Sequence, residues 1–244
     1  MPDGYFTDAS WLRRVHRERA LALSAQRTLL MQAAHPAAFA SFFASTAALD
    51  DPYRRLARTA RVMDTIAFGS RRQADRMTAR VRSLHRRYGV DRPDWLLWVL
   101  ATLADSAIVV YDRYVARMSP ADRDAYWADQ RVVGRLFALR DEDMPPTIAA
   151  FDEYIAGMLA GDELGLTDEA RGVALSIVMS PPVPRRARPL LELVNLHTVD
   201  LLPEPIRRMY GFGLDPARRL AVAGGRSYAR RLIPMLPGSL RYAA

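Results

Sequence analysis

Apolar residues recur every three to four positions along almost the whole 244-residue chain, and this helical period most constrains how the chain can fold. The two-residue alternation that is typical of strands is nearly absent, and most glycines and prolines fall between the periodic segments. The pattern predicts an all-α protein with roughly 9 to 11 helices. We expect helices near residues 9–34, 37–47, 52–67, 70–88, 93–117, 120–136, 146–160, 167–180, 187–201, 204–211 and 214–233.

One segment could separate two domains. Residues 180–184 read SPPVP, which makes them the best candidate for a linker, but the segment is short and apolar helices lie on both sides. Because half of the residues are hydrophobic, the chain can bury a sizeable core. We therefore expect a single helical domain over residues 1–244. Ser70, Ser119 and Thr167 are expected to cap the helices that follow them.

Two residue types are missing altogether. The absence of cysteine excludes disulfides, thiolate catalysis and cysteine-ligated metal centres, and the absence of lysine excludes Schiff-base and P-loop lysine chemistry. The net charge is +8, and all of the basic residues that contribute to it are therefore arginines. These arginines are spread over most predicted helices without a dense basic stripe, so we expect no nucleic-acid partner.

The longest apolar run, WLLWVLATLADSAIVVY at residues 95–111, is short for a membrane span and contains Asp105. It is interpreted as a buried central helix. The N-terminal sequence has acidic residues and no apolar signal region, so a cytoplasmic protein is expected.

His85 lies in ARVRSLHRRYGV, where four arginines surround it, yet helical geometry places it on the apolar side. An inward histidine is either a core residue with a hydrogen-bond partner or the single protein ligand of a haem iron. The residues expected on the same inward face are Ala74, Met77, Val81, Leu84 and Tyr88.

The other three histidines have different surroundings. His16 lies among charged residues and is expected to be solvated, whereas His197, in LLELVNLHTVDLL, is expected to be a hydrogen-bonded core residue. His35 precedes Pro36, where a helix must kink or end, so either a structural role or a pocket role fits it. No histidine pair or ExxH motif supports a zinc or di-iron centre.

Arg55, Arg58 and Thr59 are spaced so that all three leave one face of a helix. Two guanidinium groups beside a hydroxyl could hold the carboxylates of a cofactor or polarise an iron-bound oxygen. The alternative is a solvated charged stripe in which Thr59 bonds back to its own helix.

Asp105 lies inside the apolar run, where a carboxylate must be paired or change its pKa. It is therefore either salt-bridged to an arginine or a proton carrier in a pocket.

Taken together, several segments resemble the oxygenase family that includes the rubber-cleaving latex clearing proteins of bacteria and the fungal MpaB-type oxygenases. The resemblance spans most of the chain, and it depends on the order of the segments more than on any one of them. They are LLMQAAHPAAF, DPYRRLARTARVMDTIAFGS, ARVRSLHRRYG, WVLATLADSAIVVYDRYV, SPADRDAYWADQRVVGRL and RRLIPMLPGSLRY.

The resemblance implies a helical, globin-like core and haem b held by the histidine of a segment similar to RVRSLH. His85 would then be the iron ligand, and Arg55 and Thr59 would match the family's arginine and threonine. His35 is a further candidate for cofactor binding, and Arg58 and Asp105 join Arg55 and Thr59 as candidate catalytic residues.

Two positions depart from the family pattern. Arg58 stands where rubber-cleaving members have a lysine that can cap the distal face of the iron, and an arginine does not readily ligate iron. Leu100 stands where many bacterial members have a histidine, in WVLAT instead of WVHAT.

The sequence therefore predicts a haem b-dependent oxygenase that uses dioxygen on a hydrophobic substrate, isoprenoid-like or a secondary metabolite, in a space lined by residues such as Met63 and Trp98. Leu100 favours a second interpretation, a non-catalytic helical protein that binds haem or a lipid. The arginine excess and the C-terminal ARRLIPMLPGSLRY favour a third, an adaptor with peripheral membrane contact or an acidic partner.

Overall fold

The computed structural model of the protein describes residues 3–43 and 51–243. Within these residues there are thirteen α-helices and no strand, which confirms the all-α prediction. Residues 44–47 of the predicted helix 37–47 lie outside the described residues. The helices are α1 Trp11–His16, α2 Ala22–Ala33, α3 Pro36–Phe43, α4 Pro52–Phe68, α5 Arg71–Tyr88, α6 Pro93–Val110, α7 Pro120–Leu136, α8 Ile148–Ala160, α9 Asp168–Val178, α10 Arg188–Leu201, α11 Glu204–Tyr210, α12 Pro216–Leu232 and α13 Gly238–Arg241.

Side-chain caps explain where several helices begin. The Ser70 hydroxyl accepts a hydrogen bond from the backbone N–H of Gln73, whose side chain accepts one from the N–H of Ser70 in return. Ser119 forms the same reciprocal pair at the start of α7, and Thr167 caps α9. The three caps predicted from the sequence are thus confirmed.

The predicted helix 9–34 is wrong as one element, because the chain leaves the helix after His16 and resumes it at Ala22. At the break, the Glu18 carboxylate is buried and accepts hydrogen bonds from Arg241 at 2.7 to 3.0 Å. The backbone of Glu18 also pairs with Tyr242. A contact with the far end of the chain therefore ends α1.

Helix α6 is the centre of the fold and packs most closely against α2. Among the described residues, the helical stretch Pro93–Val115 is long and apolar enough to cross a bilayer, but 61% of its most apolar window is buried inside the protein. Such burial is typical of a core helix, as the sequence predicts. After Val110 the helix continues as one π-helical segment, Tyr111–Val115, which ends the predicted helix 93–117 two residues early.

Contacts to α2 come from both sides of the candidate linker. The Gln26 side chain donates a hydrogen bond to the carbonyl of Val178 at 3.0 Å, before the linker, and accepts one from Thr198, after it. The helices on both sides therefore pack on the same element.

Candidate functional site

A cavity of about 360 Å³ lies among α2, α3, α4, α5, α6 and α7. Its volume is within the range of small-molecule pockets, about 300 to 1,000 Å³, and its wall is mainly aliphatic and aromatic. The polar or charged residues among those lining it are Thr28, Gln32, Arg55, Thr59 and His85. An apolar pocket with so few polar groups suits a hydrophobic ligand that is held at a small number of points.

His85 lines this cavity from the last turns of α5. That helix ends at Gly89, whose positive φ of 64° favours glycine and lets the carbonyl of His85 accept the N–H of Val90 at 3.0 Å. The Nδ1 atom of His85 is buried and has no hydrogen-bond partner among the described residues. If His85 were only a core residue, we would expect its ring to have such a partner.

Burial lowers the pKa of His85 below the ordinary value for an imidazole, and the charge of Arg55 acts in the same direction. The imidazole is therefore neutral at neutral pH. A neutral ring, with a lone pair on the nitrogen that carries no proton, is the form that binds a metal ion.

The buried face of α5 is not made of all the residues that the sequence predicts for it. Ala74 is buried and Val81 lines the cavity, but Leu84 and Tyr88 are exposed, so their predicted inward positions are wrong. Thr78 is buried instead. Since Thr78 lies on the opposite flank of the face from Leu84, the buried stripe is rotated away from the leucine and towards the histidine.

Of the arginine and threonine set on α4, Arg55 and Thr59 line the cavity, whereas Arg58 is exposed and outside its lining. Burial and the nearby charge of Arg58 lower the pKa of Arg55 to about 10, so the guanidinium stays charged at neutral pH. The Thr59 hydroxyl donates to the carbonyl of Arg55 at 3.3 Å, which is the back-bond of the structural alternative.

His35 and Asp105 are not brought to the cavity wall. The Nδ1 atom of His35 accepts the backbone N–H of Ala38 at 3.2 Å, which caps the first turn of α3. The Asp105 carboxylate lies 2.6 Å from the guanidinium of the buried Arg27, as the salt-bridge interpretation expects. Met63 lines the cavity as predicted, but Trp98 is buried outside its lining.

The two remaining histidines also lie outside the cavity lining. His197 is hydrogen-bonded as predicted, because its Nδ1 lies 2.7 Å from the hydroxyl of Tyr114, but its side chain is half-buried and it is not a core residue. The expectation that His16 is solvated is wrong: its Nε2 is 3.5 Å from the Tyr126 hydroxyl, and burial lowers its pKa to about 4. Helix α1 packs on α7, so the charged sequence neighbours of His16 do not describe its surroundings.

Two polar lining residues were missed from the sequence. The Thr28 hydroxyl donates to the carbonyl of Thr102 at 3.4 Å, and the Gln32 amide donates to the Thr102 hydroxyl at 3.1 Å. A possible signal was their i, i+4 spacing on the otherwise apolar end of α2. Both side chains join α2 to α6 at the wall of the cavity.

No group of three or more histidine, aspartate or glutamate side chains within the described part of the chain could hold a metal ion. His85 is the one imidazole in the cavity lining.

The fold and the cavity together define a class: an all-helical protein whose apolar pocket contains one neutral, unpaired histidine and one half-buried arginine. Residues 13–233 match the family described as ER-bound oxygenase mpaB/B'/Rubber oxygenase, catalytic domain, so the chain belongs to this family. The match places the protein among oxygenase catalytic domains and therefore among enzymes. No significant match was found among curated proteins or solved structures.

Proposed function

We propose that the protein is a haem b-dependent oxygenase that acts on a hydrophobic substrate, with His85 as the protein ligand of the iron. The observation that carries the proposal is the neutral His85 imidazole, which lines an apolar cavity and has a buried Nδ1 without a partner. Haem b, when bound, supplies the iron that binds and activates dioxygen.

The chain's own residues would hold the cofactor and keep water away. Arg55, charged and half-buried at the cavity, would bind the propionate carboxylates, and Thr59, whose hydroxyl donates to the carbonyl of Arg55, would line the cavity one turn further along α4. Exposed Arg58 would add positive charge at the same end of α4. The aliphatic wall, with Leu56, Met63 and Leu103 among its residues, would exclude water and take up the apolar substrate.

In this proposal His35 and Asp105 would not touch the cofactor, but each would hold a helix of the cavity wall in place. His35 fixes the start of α3, whose residue Phe39 lines the cavity. Asp105 fixes α6 through Arg27, and α6 contributes five residues to the wall.

The first experiment is an absorption spectrum of protein expressed with added haem, with the haem content measured as the pyridine haemochrome. We expect a Soret band in the wild type and its loss or shift in His85→Ala. His197→Gln, a histidine substitution outside the cavity lining, should retain the wild-type band. Because a smaller side chain leaves room for a free ligand, added imidazole should restore the band in His85→Ala.

Two results would reject the haem proposal. One is a wild type that takes up no haem on reconstitution although its circular dichroism shows a folded helical protein. The other is an unchanged Soret band in His85→Ala, which would move the iron ligand to another residue.

A second candidate function is a haem- or lipid-binding protein without turnover. The observation in its favour is Leu100, which is buried in the cavity wall and is a leucine where the family resemblance leads to a histidine. Oxygen uptake by the haem-loaded protein with isoprenoid substrates separates the two. Uptake that depends on substrate supports the oxygenase, whereas stable haem binding without uptake supports the binder.

A further inference from the structure

The net positive charge is concentrated in the last quarter of the chain, because acidic residues are scarce there. Residues 185–244 contain 11 arginines and four acidic residues, a net charge of +7 out of +8 for the whole protein. Three of the four acids, Asp200, Glu204 and Asp215, are already paired with arginines. The surplus positive charge therefore has little to neutralise it within this region.

Exposed apolar side chains are concentrated in the same part of the chain. Seven of the twelve large hydrophobic residues that are exposed within the described residues lie between positions 190 and 240. Four of them are Leu220 at 76%, Tyr228 at 68%, Met235 at 79% and Leu240 at 61% exposed. A group of exposed apolar residues of this kind marks an interaction surface.

Helix α12 carries the centre of this surface. Its inner face packs on the protein: Val222 is buried, Ala229 contacts the small core cluster around Tyr114, and Arg226 donates to Asp200 at 2.6 Å. Leu220 and Tyr228 are eight residues apart, so they lie on the outer face, two turns from each other. Only small residues lie between them on that face, namely Ala221, Gly224 and Ser227.

Arg231 lies on the outer face of α12, and Arg219 and Arg230 lie on one side of that face, next to Leu220. Arg219, Arg230 and Arg231 are exposed and form no ion pair with any described residue. Arginine side chains beside an apolar ridge can keep their guanidinium groups in the headgroup layer while their methylene stems follow the ridge. With 17 residues, α12 is about 25 Å long, enough to lie along a membrane surface.

We propose that the outer face of α12, together with Met235 and Leu240 after it, is a peripheral docking surface for an anionic phospholipid bilayer. Lipid fits better than nucleic acid, because exposed leucine and methionine side chains gain from burial among acyl chains and offer little to phosphates or bases. None of these residues lines the cavity, so this proposal does not depend on the haem proposal.

The test uses the full chain and vesicles of phosphatidylcholine alone or with 30% phosphatidylserine, with binding measured by flotation. We expect binding to the anionic vesicles that falls steeply between 50 and 500 mM NaCl, since surface charges are screened within a Debye length. Arg230→Gln/Arg231→Gln and Leu220→Ser/Met235→Ser should each weaken binding by about tenfold.

The matched controls are Arg72→Gln/Arg76→Gln and Leu84→Ser, which change exposed residues of α5 and should leave vesicle binding unchanged. Because the chain has no cysteine, Leu220→Cys and Leu84→Cys can each be labelled at one site with a polarity-sensitive fluorophore. We expect a blue shift on adding anionic vesicles at position 220 and none at position 84.

The proposal is overturned by equal binding to neutral and anionic vesicles, or by no vesicle binding at 50 mM salt. It is also overturned if α12 variants bind as tightly as the controls. Binding to polyglutamate or to RNA without vesicle binding would assign the surface to an acidic macromolecule instead. Circular dichroism of each variant shows that a loss of binding does not come from unfolding.

Discussion

All four histidines have a pKa below the ordinary value, and burial is the largest cause in each case. A low histidine pKa therefore does not single out a ligand in this protein. The hydrogen bonding of the ring distinguishes His85: Nδ1 of His35 and of His197 has a partner, whereas Nδ1 of His85 has none among the described residues. His85 also lines the cavity, where the haem proposal places the cofactor.

His16 makes stability depend on pH. Its pKa is about 4 in the folded protein and about 6.5 in the unfolded chain, so the unfolded chain binds more protons and stability falls as the pH drops from 6.5 towards 4. At pH 5 the loss from this one residue is about 2 kcal/mol. Urea unfolding of wild type and His16→Gln at pH 7 and pH 5 measures it, and the variant should lose less stability. Equal losses in the two proteins would contradict the assignment to His16.

Arg55 is expected to control the protonation of His85. Because its charge opposes the imidazolium, Arg55→Met should raise the pKa of His85, but only part of the way to 6.5, since burial remains as the larger cause. An NMR titration of the imidazole protons in the haem-free protein measures this shift. Arg58→Met is the control: Arg58 is exposed and should leave the pKa of His85 nearly unchanged. A larger shift from Arg58 than from Arg55 would refute the prediction.

Two glycines inside helices test how closely the elements pack. A Cβ at Gly134 of α7 would collide with the sulfur of Met144 and lie 3.0 Å from Leu100, so Gly134→Ala should destabilise the protein by about 1 to 2 kcal/mol. Gly157 of α8 has no atom within 4 Å of such a Cβ, so Gly157→Ala should stabilise it by about 0.5 to 1 kcal/mol. Chemical denaturation of both variants gives the two signs, and the same sign for both would contradict this packing.

Local signals explain which elements could be predicted. The start of α5 depends on Ser70 and Gln73, three residues apart, and such spacing is visible in a sequence. The end of α1 depends on Glu18 and Arg241, 223 residues apart, with no proline or glycine at the break. Helix existence was therefore predictable, but a helix end fixed by a distant residue was not.

In the candidate site, too, local features could be predicted from the sequence and long-range packing could not. His85 could be placed inward from the face of its own helix, and Arg55 and Thr59 from theirs. That these faces meet around one cavity depends on how α2, α4, α5 and α6 pack, which no single helix pattern specifies. For the same reason Trp98 and Asp105 are inside the protein but outside that cavity.

One buried cation, Arg27, joins three helices. Arg27 of α2 lies 2.6 Å from Asp105 and donates to the Ser106 hydroxyl at 2.7 Å, both on α6, and donates to the carbonyl of Leu201 on α10 at 2.8 Å. Arg27→Met leaves these three acceptors without a donor, so it should destabilise the protein by about 3 kcal/mol.

Arg27→Met combined with Asp105→Leu removes the stranded charge as well, and it should recover a large part of that loss. Urea unfolding of the two single variants and the double variant completes the thermodynamic cycle. An additive cycle would mean that the ion pair does not couple α2 to α6. A coupled cycle would show that Asp105 stabilises the fold through Arg27. An unchanged Soret band in the double variant would show in addition that Asp105 takes no part in binding the haem.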